Sequence, residues 1–202
     1  MACLLHPTYL PNMAHWLAML NHDLVYYEVY DHYQKQSYRN RAEIYGANGK
    51  LILTVPVTYS QNNRQYSKDV RIFNDSQWQD QHLKSLEAAY STSPFYEYYI
   101  DELMPLFKSS YTYLLDLNLA GIEILSEILE FSFSAKTTLN YVSNLDGLED
   151  YRVLVKKHYK LNKIAAYEQV FSQKHGFIPN LSILDLIFNE GPAAESYLKA
   201  LV

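Results

Sequence analysis

Two short apolar segments close to the start of the chain constrain its fold most. Ala2 to Leu5 has the composition of a buried strand, and Leu24 to Tyr30, rich in valine and tyrosine, predicts a second strand. Between them lie a proline-containing turn and a short helix from Met13 to Leu20, which Asn12 can cap. This order of strand, loop, helix and strand predicts a βαβ unit with parallel strands and a right-handed crossover.

The βαβ unit places two polar segments at one edge of the predicted sheet. Ligands of open α/β sheets bind beyond the carboxyl ends of the strands. The first strand ends at His6 and the second ends near Asp31, so the turn from His6 to Tyr9 and the segment from Asp31 to Arg41 emerge on the same side. We therefore expect both segments to line one cleft.

The segment from Asp31 to Arg41 is dense in hydrogen-bonding groups. It holds three cations, three amides and two phenols, and no aliphatic residue, which favours a site for a polyoxygenated or anionic ligand. Arg39 and Arg41 each carry a planar fork of donors that fits a phosphate or a carboxylate. In an extended backbone both arginines lie on one face and Asn40 on the other, which predicts an anion clamp. The alternative is a pair of solvated charges beside Asp31 or Glu43.

The rest of the chain changes from strands to helices after about residue 74. A hairpin is predicted around Asn48-Gly49, followed by a polar flap from Thr58 to Lys68 and a short strand from Asp69 to Phe73. Further on, the patterns predict helices from Asp75 to Tyr90, from Ser93, from Tyr111 to Phe131, from Glu149 to His158, from Asn180 to Phe188 and from Ala193 to Leu201, with a short strand near Thr138 to Val142. The fold class predicted is α/β: a βαβ-containing sheet plus hairpin (about residues 1–74), then a mainly helical half (75–202), in one domain over residues 1–202.

Two histidines are candidates for catalysis by proton transfer. His6 directly follows the first predicted strand and could act as an acid, a base or a phosphate donor, or it could be a structural residue of the turn. His82 shares a helix face with Trp78 and Leu86. A histidine in such a position is usually a core residue, and the alternative is that it lines the cleft.

Several other polar residues are candidates for ligand binding. Tyr9 could stack on a ligand ring or close the edge of the core. Asn118 shares a helix face with leucines and needs partners if buried, and Asp185 could close the site or cap a helix end. The complete predicted substrate-binding set is Tyr9, Asp31, Tyr33, Gln34, Arg39, Asn40, Arg41, Asn118 and Asp185.

Composition narrows the function class. The net charge of −5 and the pI of about 5.8 argue against a nucleic-acid-binding protein. The chain has one cysteine, Cys3, no signal-peptide pattern and no apolar window long enough for a membrane span, so we expect a cytoplasmic protein. Six scattered glycines provide no phosphate-binding loop, and the histidines lack ligand spacing, so we predict no metal and no cofactor. The oligomeric state is not indicated.

Taken together, five groups of residues resemble the WbqC-like protein family. A Gln-Pro-x-Tyr-Phe-Pro-Trp motif of that family corresponds to His6-Pro7-Thr8-Tyr9-Leu10-Pro11-Asn12. The other matching groups are Asp31, Tyr33, Gln34 and Tyr38-Arg39-Asn40-Arg41; Leu53-Thr54-Val55-Pro56-Val57; Trp78, His82, Tyr90, Pro94 and Phe95; and the run from Pro179 to Asn189. The chain departs from the family pattern at His6, Asn12 and Tyr38, where the family has glutamine, tryptophan and tryptophan.

The resemblance implies a role in surface polysaccharide or O-antigen biosynthesis, as a transferase acting on a nucleotide-linked or otherwise activated sugar. The alternative is a non-catalytic protein that binds a glycan intermediate or a pathway enzyme. A third hypothesis, a nucleotidyltransferase-like enzyme, draws on the βαβ unit with His6 and His15, although the His-x-Gly-His spacing of that class is absent.

Overall fold

The computed structural model describes residues 1–58, 64–157, 159, 161 and 164–202. Within these ranges the strands are β1 (Ala2–Leu5), β2 (Leu24–Tyr27), β3 (Arg41–Gly46), β4 (Gly49–Thr54), β5 (Val57–Thr58), β6 (Arg71–Ile72), β7 (Ser134–Thr137) and β8 (Leu148–Asp150). The α-helices there are α1 (Met13–Leu20), α2 (Trp78–Tyr90), α3 (Tyr96–Lys108), α4 (Leu114–Ile128), α5 (Ser172–His175), α6 (Ile183–Glu190) and α7 (Ala193–Lys199). Short 3-10 helices cover Ser67–Asp69 and Arg152–Val155.

A parallel sheet of four strands, in the order β7-β2-β1-β8, forms the centre of the fold. In its register Cys3 of β1 lies opposite Val25 of β2 on one side and opposite Glu149 of β8 on the other. The predicted α/β class and the parallel βαβ unit are confirmed. Strands β7 and β8 come from the second half of the chain, so the sheet joins the two predicted parts.

The first helix of the βαβ unit begins and packs as the sequence indicates. The side chain of Asn12 accepts a hydrogen bond from the backbone N–H of His15 at 3.1 Å, which caps α1. Trp16 and Met19 on the inner face of α1 are fully buried. Burial of such large apolar side chains contributes about 1.5–3 kcal/mol each, and it holds the helix against the sheet.

Strands β3 and β4 form the predicted hairpin. Gly46 pairs with Gly49, so Ala47 and Asn48 make a two-residue turn. Gly49 has a φ of 99°, a backbone conformation that side chains with a Cβ rarely adopt. The hairpin is followed by the small antiparallel pair β5–β6. Residues 59–63 of the predicted flap lie outside the described residues.

Three sequence predictions about local structure are wrong. Residues 149–158 are predicted to be helical, but Leu148–Asp150 is a strand, only Arg152–Val155 is helical, as a short 3-10 helix, and residue 158 lies outside the described residues. The expected strand near Thr138 lies earlier, as β7 over residues 134–137. These strands are only three and four residues long, mostly exposed, and stabilised by pairing with distant strands, which local periodicity does not encode. Strand β2 ends at Tyr27 rather than Tyr30, because Thr138 Oγ1 accepts the N–H of Val29 at 3.3 Å.

Helix α6 covers most of the predicted helix from Asn180 to Phe188 and is capped at both ends. Ser182 caps α6 by accepting from the N–H of Leu184 at 3.4 Å, and Gly191 ends the helix with a φ of 51°. A Cβ at Gly191 would lie 2.5 Å from the ring of Phe95, so glycine is also required sterically. Among the described residues no helix has the length and apolar character needed to cross a membrane.

Candidate functional site

The turn after β1 and the segment after β2 meet at three side chains. Nη2 of Arg39 donates to Nε2 of His6 at 2.9 Å and to Oδ2 of Asp31 at 2.8 Å. The same Oδ2 lies 3.3 Å from Nε2 of His6. The two polar segments therefore converge, as the order of the strands predicted, and Arg39 bridges them.

The hydrogen bonds of His6 define its protonation state. Its Nδ1 donates to the carbonyl of Glu28 at 3.1 Å, and its Nε2 accepts from Arg39, so the ring is a neutral imidazole. Burial of the ring lowers the pKa of His6. Hydrogen bonding to Asp31 raises that pKa, but it offsets the effect of burial only in part. At neutral pH the Nε2 lone pair is therefore unprotonated but engaged by Arg39, and it can act as a base only when Arg39 moves away.

Asp31 carries the negative charge of this group. Burial by itself would raise the pKa of Asp31, but hydrogen bonding from His6 in its protonated form and the charge of Arg39 outweigh it and lower the pKa to about 2. The carboxylate is one-quarter exposed, whereas the side chain of Arg39 is only 3% exposed. Asp31 thus remains ionised and compensates the buried guanidinium.

Helix α4 ties the two polar segments together through Asn118. Its Nδ2 donates to the carbonyl of Pro7 at 3.2 Å and to the carbonyl of Arg39 at 2.8 Å. The N–H of Tyr9 adds a bond to the carbonyl of Tyr38 at 3.0 Å. The position of Arg39 is therefore set by main-chain contacts as well as by its own side chain.

The structure does not bring Arg39 and Arg41 together as the predicted anion clamp. Residues 35–40 form turns rather than a strand, so the alternation of an extended chain does not apply to them. Arg41 is the first residue of β3, where it pairs with Thr54, and it is not among the residues that line the cleft beside Arg39. Asn40 likewise turns inward, and its Nδ2 donates to the carbonyl of Val55 at 2.9 Å.

An open cleft of about 290 Å³ lies beyond the carboxyl ends of β1, β2 and β8. Four residues of the predicted set line it, namely His6, Asp31, Gln34 and Arg39. Its other side is formed by residues that the sequence reasoning did not select, namely Tyr141, Arg152, Val153, Val155 and Lys156. The cations Arg39, Arg152 and Lys156 make the cleft suitable for an anionic ligand.

A buried carboxylate, Glu28, supports this second side of the cleft. It is fully buried, and its oxygens accept from the N–H of Tyr30 at 2.8 Å, from Oγ1 of Thr138 at 3.1 Å and from the N–H of Val142 at 2.9 Å. Nη1 of Arg152 lies 3.8 Å from the same carboxylate. Arg152 follows the carboxyl end of β8. A sequence prediction of β8 as a strand would therefore have identified Arg152 as a candidate cleft residue.

Two further residues of the predicted set lie below the cleft floor. Tyr33 and Asn118, with His6 and Arg39, line a small cavity of about 10 Å³, enough for roughly one water molecule. Tyr33 is 4% exposed, so its ring is not presented to the open cleft.

Tyr9 and His82 form a separate buried cluster with Trp78. Nδ1 of His82 and the hydroxyl of Tyr9 are hydrogen-bonded at 2.8 Å, and the Trp78 and His82 ring centroids lie 5.2 Å apart. Burial lowers the pKa of His82 to about 4. The structure therefore places His82 and Tyr9 in the core rather than on the cleft beside Arg39.

Asp185 is also placed away from the cleft. This fully buried carboxylate accepts from the hydroxyls of Tyr90 at 2.9 Å and Tyr167 at 2.7 Å, and from Nε2 of Gln169 at 2.7 Å. Burial raises the pKa of Asp185, and the three donors partly oppose that effect. Its contacts join α6 to α2 and to the segment before α5.

A larger groove of about 680 Å³ lies at the opposite edge of the sheet, beside the amino ends of β2 and β7. Its lining includes Leu20, Phe131 and Phe133, and it lacks a cluster of buried paired charges like that around Arg39. Among the described residues no group of three or more histidine, cysteine or carboxylate side chains could hold a metal ion. The smaller cleft thus combines a histidine, a carboxylate and cations at the ligand-binding edge of the fold.

A family model described as the WbqC-like protein family matches residues 6–155 and 140–197 of the chain. The chain belongs to the WbqC-like protein family. The matched residues include His6, Asp31, Arg39 and Arg152, so both sides of the cleft belong to the family region. Neither the curated proteins nor the solved structures include a significant match.

Proposed function

We propose that this WbqC-like protein is a cytoplasmic enzyme of surface polysaccharide biosynthesis, a transferase acting on a nucleotide-linked or otherwise activated sugar. Family membership supports the pathway, and the cleft supports the class of ligand. The observation that carries the proposal is the bridging position of Arg39 between His6 and Asp31 in a cleft that Arg152 and Lys156 also line. Nucleic acid is not a proposed partner, because the net charge of the chain is −5.

Four side chains of the cleft have distinct roles in the proposed reaction. Arg39 and Lys156 attract the phosphate groups of the donor and stabilise the charge that develops on the leaving phosphate. His6 takes the proton of the acceptor hydroxyl on Nε2 when Arg39 turns toward the bound phosphate. The acceptor oxygen then forms a bond to the transferred group, and the bond between that group and the donor phosphate breaks. Asp31, 3.3 Å from that nitrogen, then stabilises the imidazolium.

A non-catalytic binding protein is the second candidate. It is favoured by the burial of His6, which is 3% exposed, and by the fact that Nε2 already accepts from Arg39. Such a protein uses the same cleft to hold a sugar phosphate, with His6 orienting Arg39 rather than moving a proton. Turnover of a bound ligand distinguishes the two functions.

Binding measurements with inorganic pyrophosphate and a panel of nucleotide sugars test the proposal. We expect at least one nucleotide sugar to raise the melting temperature, and calorimetry to give a finite affinity. Arg39→Lys keeps a charge but loses the planar bridge, so affinity should fall by about tenfold or more. Arg41→Lys is the matched control, because Arg41 lies outside the cleft lining, and it should leave affinity unchanged.

Two results would overturn the proposal. One is the absence of binding by pyrophosphate and by every nucleotide sugar in the panel. The other is an equal loss of affinity in Arg39→Lys and Arg41→Lys, since it would place the anion elsewhere. Binding without turnover of any ligand, in the presence of a range of sugar acceptors, would favour the non-catalytic function.

A further inference from the structure

Tyr141 lies at the mouth of the cleft, and none of the steps proposed above uses it. Tyr141 is 52% exposed, yet it lines the cleft together with Arg152 and Lys156. An exposed tyrosine on a loop is by itself an ordinary surface residue. This one differs because its backbone and its ring are both held in place.

Two hydrogen bonds fix the backbone beside Tyr141. The N–H of Val142 donates to Oε2 of Glu28 at 2.9 Å, and the carbonyl of Val142 accepts from Nη1 of Arg152 at 2.8 Å. Glu28 is fully buried and follows β2 directly, so it anchors the loop to the sheet. The ring of Tyr141 is thus presented from a rigid support, which reduces the entropy lost when a ligand binds.

One side of the ring is occupied by Arg152. The guanidinium carbon lies 5.2 Å from the centroid of the Tyr141 ring. Nε and Nη2 of Arg152 bind the two carboxylate oxygens of Asp150 at 2.9 and 2.8 Å, which holds the guanidinium in that position. An aromatic ring beside a fixed arginine is an arrangement that proteins use to stack nucleobases.

The size of the cleft decides which part of a ligand reaches this ring. A volume of about 290 Å³ holds phosphate groups beside Arg39 and Lys156 but not a whole nucleotide sugar. Arg39 and Lys156 both line the cleft, and Arg39 is only 3% exposed, whereas Tyr141 is half exposed. A ligand whose phosphates enter the cleft therefore leaves its base at the rim.

We infer that Tyr141 is a stacking platform for the nucleobase of a nucleoside diphosphate, with the diphosphate in the cleft between Arg39 and Lys156. This inference rests on the proposed function and specifies its substrate class, because it selects nucleotide-linked sugars over sugars activated in other ways. Stacking recognises the flat face shared by all bases, so Tyr141 supplies affinity for a base without choosing among them.

Calorimetry with inorganic pyrophosphate and with the diphosphates of adenosine, guanosine, cytidine and uridine tests this inference. We expect the native protein to bind at least one nucleoside diphosphate about tenfold more tightly than pyrophosphate. Tyr141→Ala should remove at least about fivefold of that preference and leave the affinity for pyrophosphate unchanged. Tyr141→Phe should retain the preference, and Tyr98→Ala, which changes a 74% exposed tyrosine of α3, is the matched control.

The outcomes separate this inference from the function on which it rests. Native protein that binds pyrophosphate as tightly as every nucleoside diphosphate overturns the stacking platform and leaves the anion cleft in place. The same holds if Tyr141→Ala keeps the full preference of the native protein. Native protein that binds neither pyrophosphate nor any nucleoside diphosphate overturns both.

Discussion

Nδ2 of Asn118 donates to the main-chain carbonyl of Arg39 at 2.8 Å, across a separation of 79 residues in the chain. The same nitrogen bonds to the carbonyl of Pro7 at 3.2 Å. One buried amide of α4 thereby holds together the two polar segments that meet at the cleft. The arrangement of His6 and Arg39 depends on this residue, although its side chain touches neither of their side chains in these bonds.

Replacement of Asn118 by alanine should destabilise the protein and loosen the site. Two buried carbonyls lose their donor, so we expect the free energy of unfolding to fall by about 2 kcal/mol. Urea denaturation measures the loss, and pyrophosphate affinity should fall with it. Ser126→Ala on the same helix removes only a bond to the carbonyl of Ile122 and should change stability by less than about 0.5 kcal/mol. A similar cost for both variants would contradict the bridging role.

Arg39 and Asp31 should be strongly coupled in a double-mutant cycle. Arg39→Gln removes the charge that faces Asp31, and Asp31→Asn leaves a guanidinium that is 3% exposed without its carboxylate. Each single change should cost about 2–4 kcal/mol, and the double variant should cost less than the sum by about 1–3 kcal/mol. Strict additivity in urea denaturation would show that the two side chains do not act as a pair.

Stability should rise with pH in the acid range because buried histidines are neutral in the native state. Burial lowers the pKa of His15 to about 3 and of His82 to about 4, from an ordinary value of 6.5. Between those values and 6.5 the unfolded chain binds protons that the native protein does not, so stability falls as pH falls. Each histidine contributes a slope of up to about 1.4 kcal/mol per pH unit.

The contribution of His82 to this slope can be isolated. His82→Gln retains an acceptor for Tyr9 and should flatten the rise of stability between about pH 4 and pH 6.5. Tyr9→Phe removes the same hydrogen bond but keeps the buried imidazole, so it should lower stability by about 1 kcal/mol without flattening the slope. Denaturation curves at several pH values measure both effects. An unchanged slope in His82→Gln would contradict the assignment.

Glu28 should control the order of the loop that carries Tyr141. Glu28→Gln places an amide nitrogen against one of three donors, which should cost about 2–3 kcal/mol. Hydrogen exchange of the Val142 amide should become faster, because its acceptor is lost. Thr138→Val removes one hydrogen bond to Glu28 and the acceptor for the N–H of Val29, and it should cost about 1–2 kcal/mol, with a smaller change in that exchange rate.

Asp185→Asn should affect stability without affecting the cleft. One of the two acceptor oxygens becomes an amide nitrogen, which faces either the hydroxyl of Tyr90 or both the hydroxyl of Tyr167 and the amide of Gln169, and the expected cost is about 2–3 kcal/mol. Pyrophosphate affinity should equal that of the native protein under conditions where both are folded. A loss of affinity in folded Asp185→Asn would restore this residue to the ligand site.

Secondary-structure elements could be predicted where their sequence signals lie within a few neighbouring residues. Strand β1, helix α1 with its Asn12 cap and the hairpin at Gly49 have their signals within a few residues, and the structure has all three. Strand β8 has no such signal. It is three residues long and is stabilised by parallel pairing with β1. Because that pairing partner is distant in the chain, the local pattern predicts a helix there instead.

Some residues of the candidate site could likewise be predicted from the sequence, and others could not. The sequence by itself determined that His6 and the segment with Asp31 and Arg39 lie together, because parallel strands carry their carboxyl ends to one edge. Only the tertiary structure decided that Arg41 lies outside the cleft lining, that His82 and Asp185 are buried elsewhere, and that Tyr141, Arg152 and Lys156 complete the cleft. Side-chain direction in a turn and pairing between distant strands depend on packing across the whole chain, and no short window of sequence contains that information.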